Sequence, residues 1–174
     1  MELQVKGIDA LIKKMDKLAA AAKTEVQAEL NDWADTTASN AKMLVSANSS
    51  DEGLLLRSIN PNYGNGTASV TASAKYAAYI EFGTRKYAAA YVSSLPADWQ
   101  TYAATFKGST GGTFEQFLLS IMGWVSRKGI DKKAAYPIAR KIMIEGIKAK
   151  PFMYPSVLKT LPVLKQNLRA IFKL

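Results

Sequence analysis

The sequence predicts a mixed α+β fold that opens with a long helix and closes with another. Three observations carry this. Apolar residues recur every three or four positions from Ile8 to Leu44, the period of one helix face. Gly64-Asn65-Gly66 separates two strand-like runs, a short-range hairpin signal. From Val157 to the C-terminus, apolar residues at 157, 161, 164, 168 and 171/172 again follow the helical period.

Residues 2–5 read as a short strand. Asp9 suits the N-cap of the first helix, whose apolar face carries Ile8, Leu11, Ile12, Met15, Leu18, Ala22, Val26, Leu30, Trp33, Thr37, Ala41 and Leu44. Unbroken from residue 10 to 46, it would run roughly 55 Å at 1.5 Å per residue. A compact chain of this length has a diameter near ~40 Å. The expectation is therefore a break or bend at the poor helix formers Thr36, Thr37, Ser39 and Asn40, the other reading being a helix that projects to meet another chain.

Residues 48–53 read as a loop, followed by hairpin arms over 54–63 and 67–73; the second arm alternates small and polar residues, so one face should be wet. Residues 75–82 fit either a short helix or a strand, ending at Gly83. Residues 87–112 are rich in Ala, Ser, Thr and Gly, with a connector at 108–112. Thr113 and Gln116 form a capping box for a helix through Phe117, Leu118, Ile121, Met122 and Val125, with Gly129 suited to C′. A further helix opens at Pro137 as its first residue and ends at Gly146. Pro151 and Pro155 should hold Phe152, Met153 and Tyr154 extended. Pro162 either kinks the last helix or starts it.

At 174 residues the length is roughly that of one domain. With no cysteine there are no disulfides and no thiolate metal site. With no histidine, the commonest zinc ligand and general base are missing too, and no cofactor or metal is expected. The N-terminus lacks the basic-then-apolar pattern of a secretory signal, and the nearly uncharged run 87–107 is too polar to span a bilayer, so a soluble intracellular product is expected.

The formal net charge of +9 is unevenly spread. Residues 1–52 hold 6 basic and 9 acidic side chains, whereas 120–174 hold 12 and 2. Such asymmetry attracts polyanions or an acidic protein surface, unless it is only a solvated helix face. Its centre is Arg127, Lys128, Lys132, Lys133, Arg140 and Lys141, with Tyr136 among them. Phosphates could be contacted there without reading sequence, and no DNA-reading module accompanies them. Nonspecific DNA binding by this basic third is thus one functional reading. The tail helix could also lie on a membrane, but docking on the protein's own core is preferred and no membrane partner is expected.

Catalytic candidates are few. Glu25, Glu29, Asp32 and Asp35 read as a solvent face of the first helix. Glu81 sits in an aromatic run, Tyr79-Ile80-Glu81-Phe82, where pairing with Arg85 four residues on is simpler than catalysis. Gly108-Ser-Thr-Gly-Gly112 lacks the Lys-Ser/Thr of a phosphate-binding loop. No enzyme is expected.

Three segments carry a resemblance. Gly53-Leu54-Leu55 with Ser58-Ile59 resembles a Gly-x-Leu-x-x-Ser-Ile signature. Tyr76-Ala-Ala-Tyr-Ile-Glu-Phe-Gly-Thr84 resembles Tyr-Ala-x-Tyr-(Val/Ile)-Glu-Phe-Gly-Thr, and Ala149-Lys-Pro-Phe-Met-Tyr-Pro155 resembles Ala-(Arg/Lys)-Pro-Phe-(Leu/Met)-x-Pro. In this order, behind a long helix, they resemble the tail-completion or neck proteins of long-tailed bacteriophages. The resemblance implies a single α+β domain over 1–174, with a small, mostly antiparallel sheet against the N- and C-terminal helices. It implies a structural subunit of the head–tail connector, a sixfold or twelvefold ring joining the tail tube to the portal and adaptor assembly. Its partners would be further copies of itself, adjacent connector proteins, tail-tube or terminator proteins, and nonspecifically the passing DNA. It would reside in the virion, and in host cytoplasm during assembly. Tyr79, Glu81, Phe82, Gly83, Pro151, Phe152 and Pro155 would shape a subunit contact or the fold itself. The departure is an insertion at about 87–137, a loop and helix facing a neighbouring ring. The six basic residues would face DNA in the lumen or an acidic partner.

Overall fold

A computed structural model describes residues 8–48, 53–106 and 113–172. The first helix, α1 (Ile8–Asn48), is continuous for 41 residues, about 60 Å at 1.5 Å per residue. The expected break at 36–40 is absent. Each of those residues weakens a helix by only a few tenths of a kcal/mol, and burial of the neighbouring positions outweighs that. Ala34, Thr37, Ala38, Ala41 and Val45 are all buried. This set overlaps the expected stripe at Thr37 and Ala41 but lies rotated from Trp33 and Leu44, which are half-buried. Residues 16–21, by contrast, are exposed throughout.

The chain then forms a short helix, α2 (Leu54–Ser58), and a hairpin of β1 (Ile59–Gly64) and β2 (Thr67–Ala72). The first hairpin arm thus starts five residues later than expected: Leu54–Ser58 is helical, with Leu55 buried. The strands pair antiparallel, Ile59 opposite Ala72 and Gly64 opposite Thr67, around the two-residue turn Asn65-Gly66. Thr67, Ser69 and Thr71 point to solvent and Ala68, Val70 and Ala72 inward, the one-sided wetting the alternation predicts. Gln27 of α1 clamps the turn, accepting from Gly66 N–H at 2.6 Å and donating to the Thr67 carbonyl at 3.3 Å. Tyr63 donates to Asp35 at 2.5 Å, a second tie between hairpin and α1.

The last helix, α8 (Met153–Phe172), packs along α1. The expectation of an extended 152–154 fails because Pro155 falls in the first turn of α8, where a missing N–H costs nothing. Pro162 lies inside the helix rather than at its start. Phe152, Ser156, Thr160 and Leu164 form a buried row four residues apart. Small side chains on both helices permit close approach. Ser156 donates to the Phe152 carbonyl at 2.6 Å and Thr160 to that of Ser156 at 3.0 Å, leaving Thr37 to donate to Thr160 Oγ1 at 2.7 Å. α1, α2, the hairpin and α8 belong to one compact unit, Met1–Ala74 with Phe152–Leu174. A two-stranded antiparallel sheet against long N- and C-terminal helices is the expected α+β class.

Lys75–Pro151 is a second compact unit, and the expected insertion at 87–137 falls inside it. It contains α3 (Ala77–Phe82), α4 (Arg85–Val92), α5 (Ala97–Ala104), α6 (Phe114–Arg127) and α7 (Ala135–Glu145). The segment left open between helix and strand is helix α3. The Ala-rich run after it holds two helices that its Ser, Thr and Gly content obscured. The capping box is formed, Gln116 N–H to Thr113 Oγ1 and Thr113 N–H to Gln116 Oε1, both 3.2 Å. α6 ends in a Schellman motif, with Gly129 N–H on the Ser126 carbonyl and Ile130 N–H on that of Val125. α7 begins two residues before Pro137. Asp131 caps a 3₁₀ turn over Lys132–Ala134, accepting from Lys133 N–H, and the turn runs into α7. Val125 of α6 and Ala135 and Ala139 of α7 are buried where α6 and α7 pack. The expected strand at 2–5, most of the 48–53 loop and the 108–112 connector lie outside the described residues.

Candidate functional site

Two glycines organise the second unit. α3 stops at Gly83 and α7 stops at Gly146, with φ of 75° and 93° and extended ψ, backbone states that a side chain resists. A Cβ on Gly83 would lie 2.8 Å from the Ala149 nitrogen and the Ile147 oxygen, and one on Gly146 would strike the Thr84 carbonyl. The two chain segments can therefore run side by side. Thr84 N–H donates to the Ile147 carbonyl at 2.9 Å, Ile147 N–H to Thr84 Oγ1 at 2.7 Å, and Lys150 N–H to the Ile80 carbonyl at 2.8 Å. The Tyr-Ile-Glu-Phe-Gly-Thr motif is thereby joined to the residues just before Pro151, two segments more than sixty residues apart in sequence.

Phe82 and Glu81 are buried, at 5% and 4% exposure, and Tyr79 is half-buried. The Phe82 ring lies 6.0–6.3 Å from those of Trp99, Tyr102 and Phe106. Phe152 is 2% exposed, and Pro151 and Pro155 are half-buried. The expected Glu81–Arg85 pair does not form. Gly83 interrupts the helix between them, so the two are not one turn apart on a common face, and Arg85 takes a positive φ of 54°. The next residue makes the ion pair instead: Lys86 Nζ is 3.3 Å from Glu145, which also accepts from the Tyr87 hydroxyl at 2.9 Å. The bond to Tyr87, then that to Lys86, lowers the Glu145 pKa below its ordinary value. The same bond raises that of Tyr87. Composition alone could not find this trio, because its members are brought together only by the packing of α4 on α7.

All six basic candidates are exposed. Arg127 and Lys128 stand at the end of α6, Lys132 and Lys133 in the 3₁₀ turn, and Arg140 and Lys141 on α7. Ile130 and the 54%-exposed Tyr136 lie among them. The side chains of Lys132, Lys133 and Arg140 have no ion pair among the described residues.

In the first unit, α1 and α8 border a groove of about 230 Å³ whose lining includes Glu29, Asp32, Trp33, Lys159, Val163 and Leu164. Its lining residue Trp33 has a buried Nε1 with no acceptor among the described residues. Among the described residues no group of three or more Asp and Glu could hold a metal ion, and no helix is long and apolar enough to cross a membrane.

The segment from α1 to the glycine that ends α3 has a counterpart among known families. Residues 9–83 match “Bacteriophage HK97-gp10, putative tail-component”. This HK97 gp10-like segment takes in α1, the hairpin and the Tyr-Ile-Glu-Phe-Gly motif, and ends at Gly83 itself. The partner strip at 146–150 and the Pro151–Pro155 motif lie beyond it. No curated protein and no solved structure matches the chain. The HK97 gp10-like match supports a structural role in a phage tail.

Proposed function

We propose that the chain is a structural, non-catalytic subunit of a phage head–tail connector, a tail-completion or neck protein that forms a ring between the tail tube and the portal and adaptor assembly. The observation that carries this is the HK97 gp10-like segment, a phage “putative tail-component” by its description, ending on the glycine against which residues 146–150 run. In this reading Glu81, Phe82, Gly83 and Phe152, all buried, act by holding the fold. Tyr79, Pro151 and Pro155, half-buried, are left to border a subunit contact. The basic face of α6 and α7 meets an acidic protein surface or DNA passing through the ring. The protein then works in the virion, after assembly in the host cytoplasm, beside neighbouring connector and tail-tube proteins.

Electron microscopy of a lysate from phage lacking this reading frame tests the proposal. DNA-filled heads beside separate tails are expected. Normal infectious particles would overturn it. The exposed basic cluster also favours a second reading, a nonspecific DNA-binding accessory protein. That reading expects empty heads in the same lysate, and binding of the free protein to DNA that weakens with a log–log salt slope of about −0.9 per phosphate contacted.

A further inference from the structure

Both signs of charge are concentrated in separate stretches of this chain. From Glu25 to Asp35, α1 carries four carboxylates and no basic residue. Among the described residues Glu25 and Asp32 have no hydrogen bond or ion pair, while Glu29 and Asp35 accept only from the neutral Asn167 and Tyr63. Residues 75–151 hold 12 basic side chains against 5 acidic. Lys132, Lys133 and Arg140 are exposed and have no ion pair among the described residues. Beside Glu29 and Asp32, the α1–α8 groove offers Val163, 56% exposed.

We infer that the α1–α8 groove of one copy receives the basic face of α6, the 3₁₀ turn and α7 of a second copy. The fit is chemical at two points. Lys132, Lys133 and Arg140 would neutralise Glu25, Glu29 and Asp32. Ile130 and Tyr136, exposed among those cations, would cover the apolar wall. DNA could satisfy only the basic side and would be repelled by the carboxylates. Because the two surfaces are different patches, the contact is heterologous, and repeated from copy to copy it closes into a ring or runs on as a filament. Its charges set register and encounter rate more than affinity. This rests on the connector reading and names the subunit contact within it.

The test is charge reversal read as incorporation of the chain into phage particles. E25K/D32K and K132E/K133E alter exposed side chains, and the unfolding curve of each purified variant checks that it folds. Each pair alone should lower the copies per particle about tenfold or more, because like charges then face each other. The fourfold variant, which restores opposite signs, should recover them. Incorporation of either pair variant at the unaltered level would overturn the inference. So would failure of the fourfold variant to recover, or a defect confined to K132E/K133E, the result expected if the basic face meets DNA or another protein. If the unaltered chain is itself absent from particles, the connector reading falls and the docking falls with it. If it is present, the variants judge the docking alone.

Discussion

Where Gly146 lies, the carbonyl of Thr84 occupies the space a side chain would need. Gly146→Ala therefore meets both a backbone clash and a positive φ of 93°, and neither can relax without separating the two segments. The expected cost exceeds about 3 kcal/mol, the range of strain at a special backbone position combined with overpacking. Urea unfolding should show this as a lower midpoint, or soluble yield should collapse. A second residue-scale expectation concerns acid. Glu145 has a depressed folded pKa, so its contribution is present above its unfolded value near 4.5 and is lost as pH falls through the lower folded value. Tyr87→Phe removes the largest cause of that depression. Thermal unfolding of the variant should fall less steeply between pH 5 and 3 than that of the unaltered chain. At the basic end the sign reverses. Tyr87 has a raised pKa, so its contribution holds below about 10 and is lost above it.

At the scale of elements, the sequence made most boundaries legible wherever a local signal was strong. The capping box at Thr113 and Gln116, the C′ Gly129 and the Asn65-Gly66 turn all stand where their chemistry put them. Misplaced boundaries trace to tertiary packing or to proline. Thr36–Asn40 read as a break because propensity is a local quantity, whereas the burial of Thr37 against Thr160 is a contact across 123 residues. Pro155 read as a helix breaker because its position within the first turn was not visible. The α1 helix also has two unlike ends. Residues 16–21 are exposed all round, while 34–45 carry the buried row. Amides of 16–24 should accordingly exchange with solvent faster than those of 34–45 by an order of magnitude or more in hydrogen-exchange mass spectrometry. Equal protection of both segments in the free protein would mean that something already covers the exposed end.

For the whole molecule, charge asymmetry was readable from a count of residues, and the structure adds that Lys132, Lys133 and Arg140 are exposed with no ion pair among the described residues. Half of the candidate site was legible in the same way. The Tyr-Ile-Glu-Phe-Gly and Pro-Phe motifs stood out as sequence, but that the first docks on residues 146–150 could not be read from either alone. It depends on two glycine conformations and on three backbone hydrogen bonds. The groove between α1 and α8 was invisible, since Trp33 counted only as one more apolar position on a stripe.

The chain leaves the first unit at Ala74 and returns to it at Phe152. The strand pair and α1 are therefore made by the ribosome long before α8 exists, whereas the intervening 75–151 can complete its own short-range contacts meanwhile. Contacts of such high sequence separation form late, because loop closure must precede them. During that interval the α1 surface that α8 will cover is open to the α8 of any other nascent copy. Exchange of this one helix between copies would use the same Thr37–Thr160 bond and the same buried row. Synthesis from clustered ribosomes should thus favour intertwined pairs, whereas refolding of the dilute full-length chain should favour closed single copies.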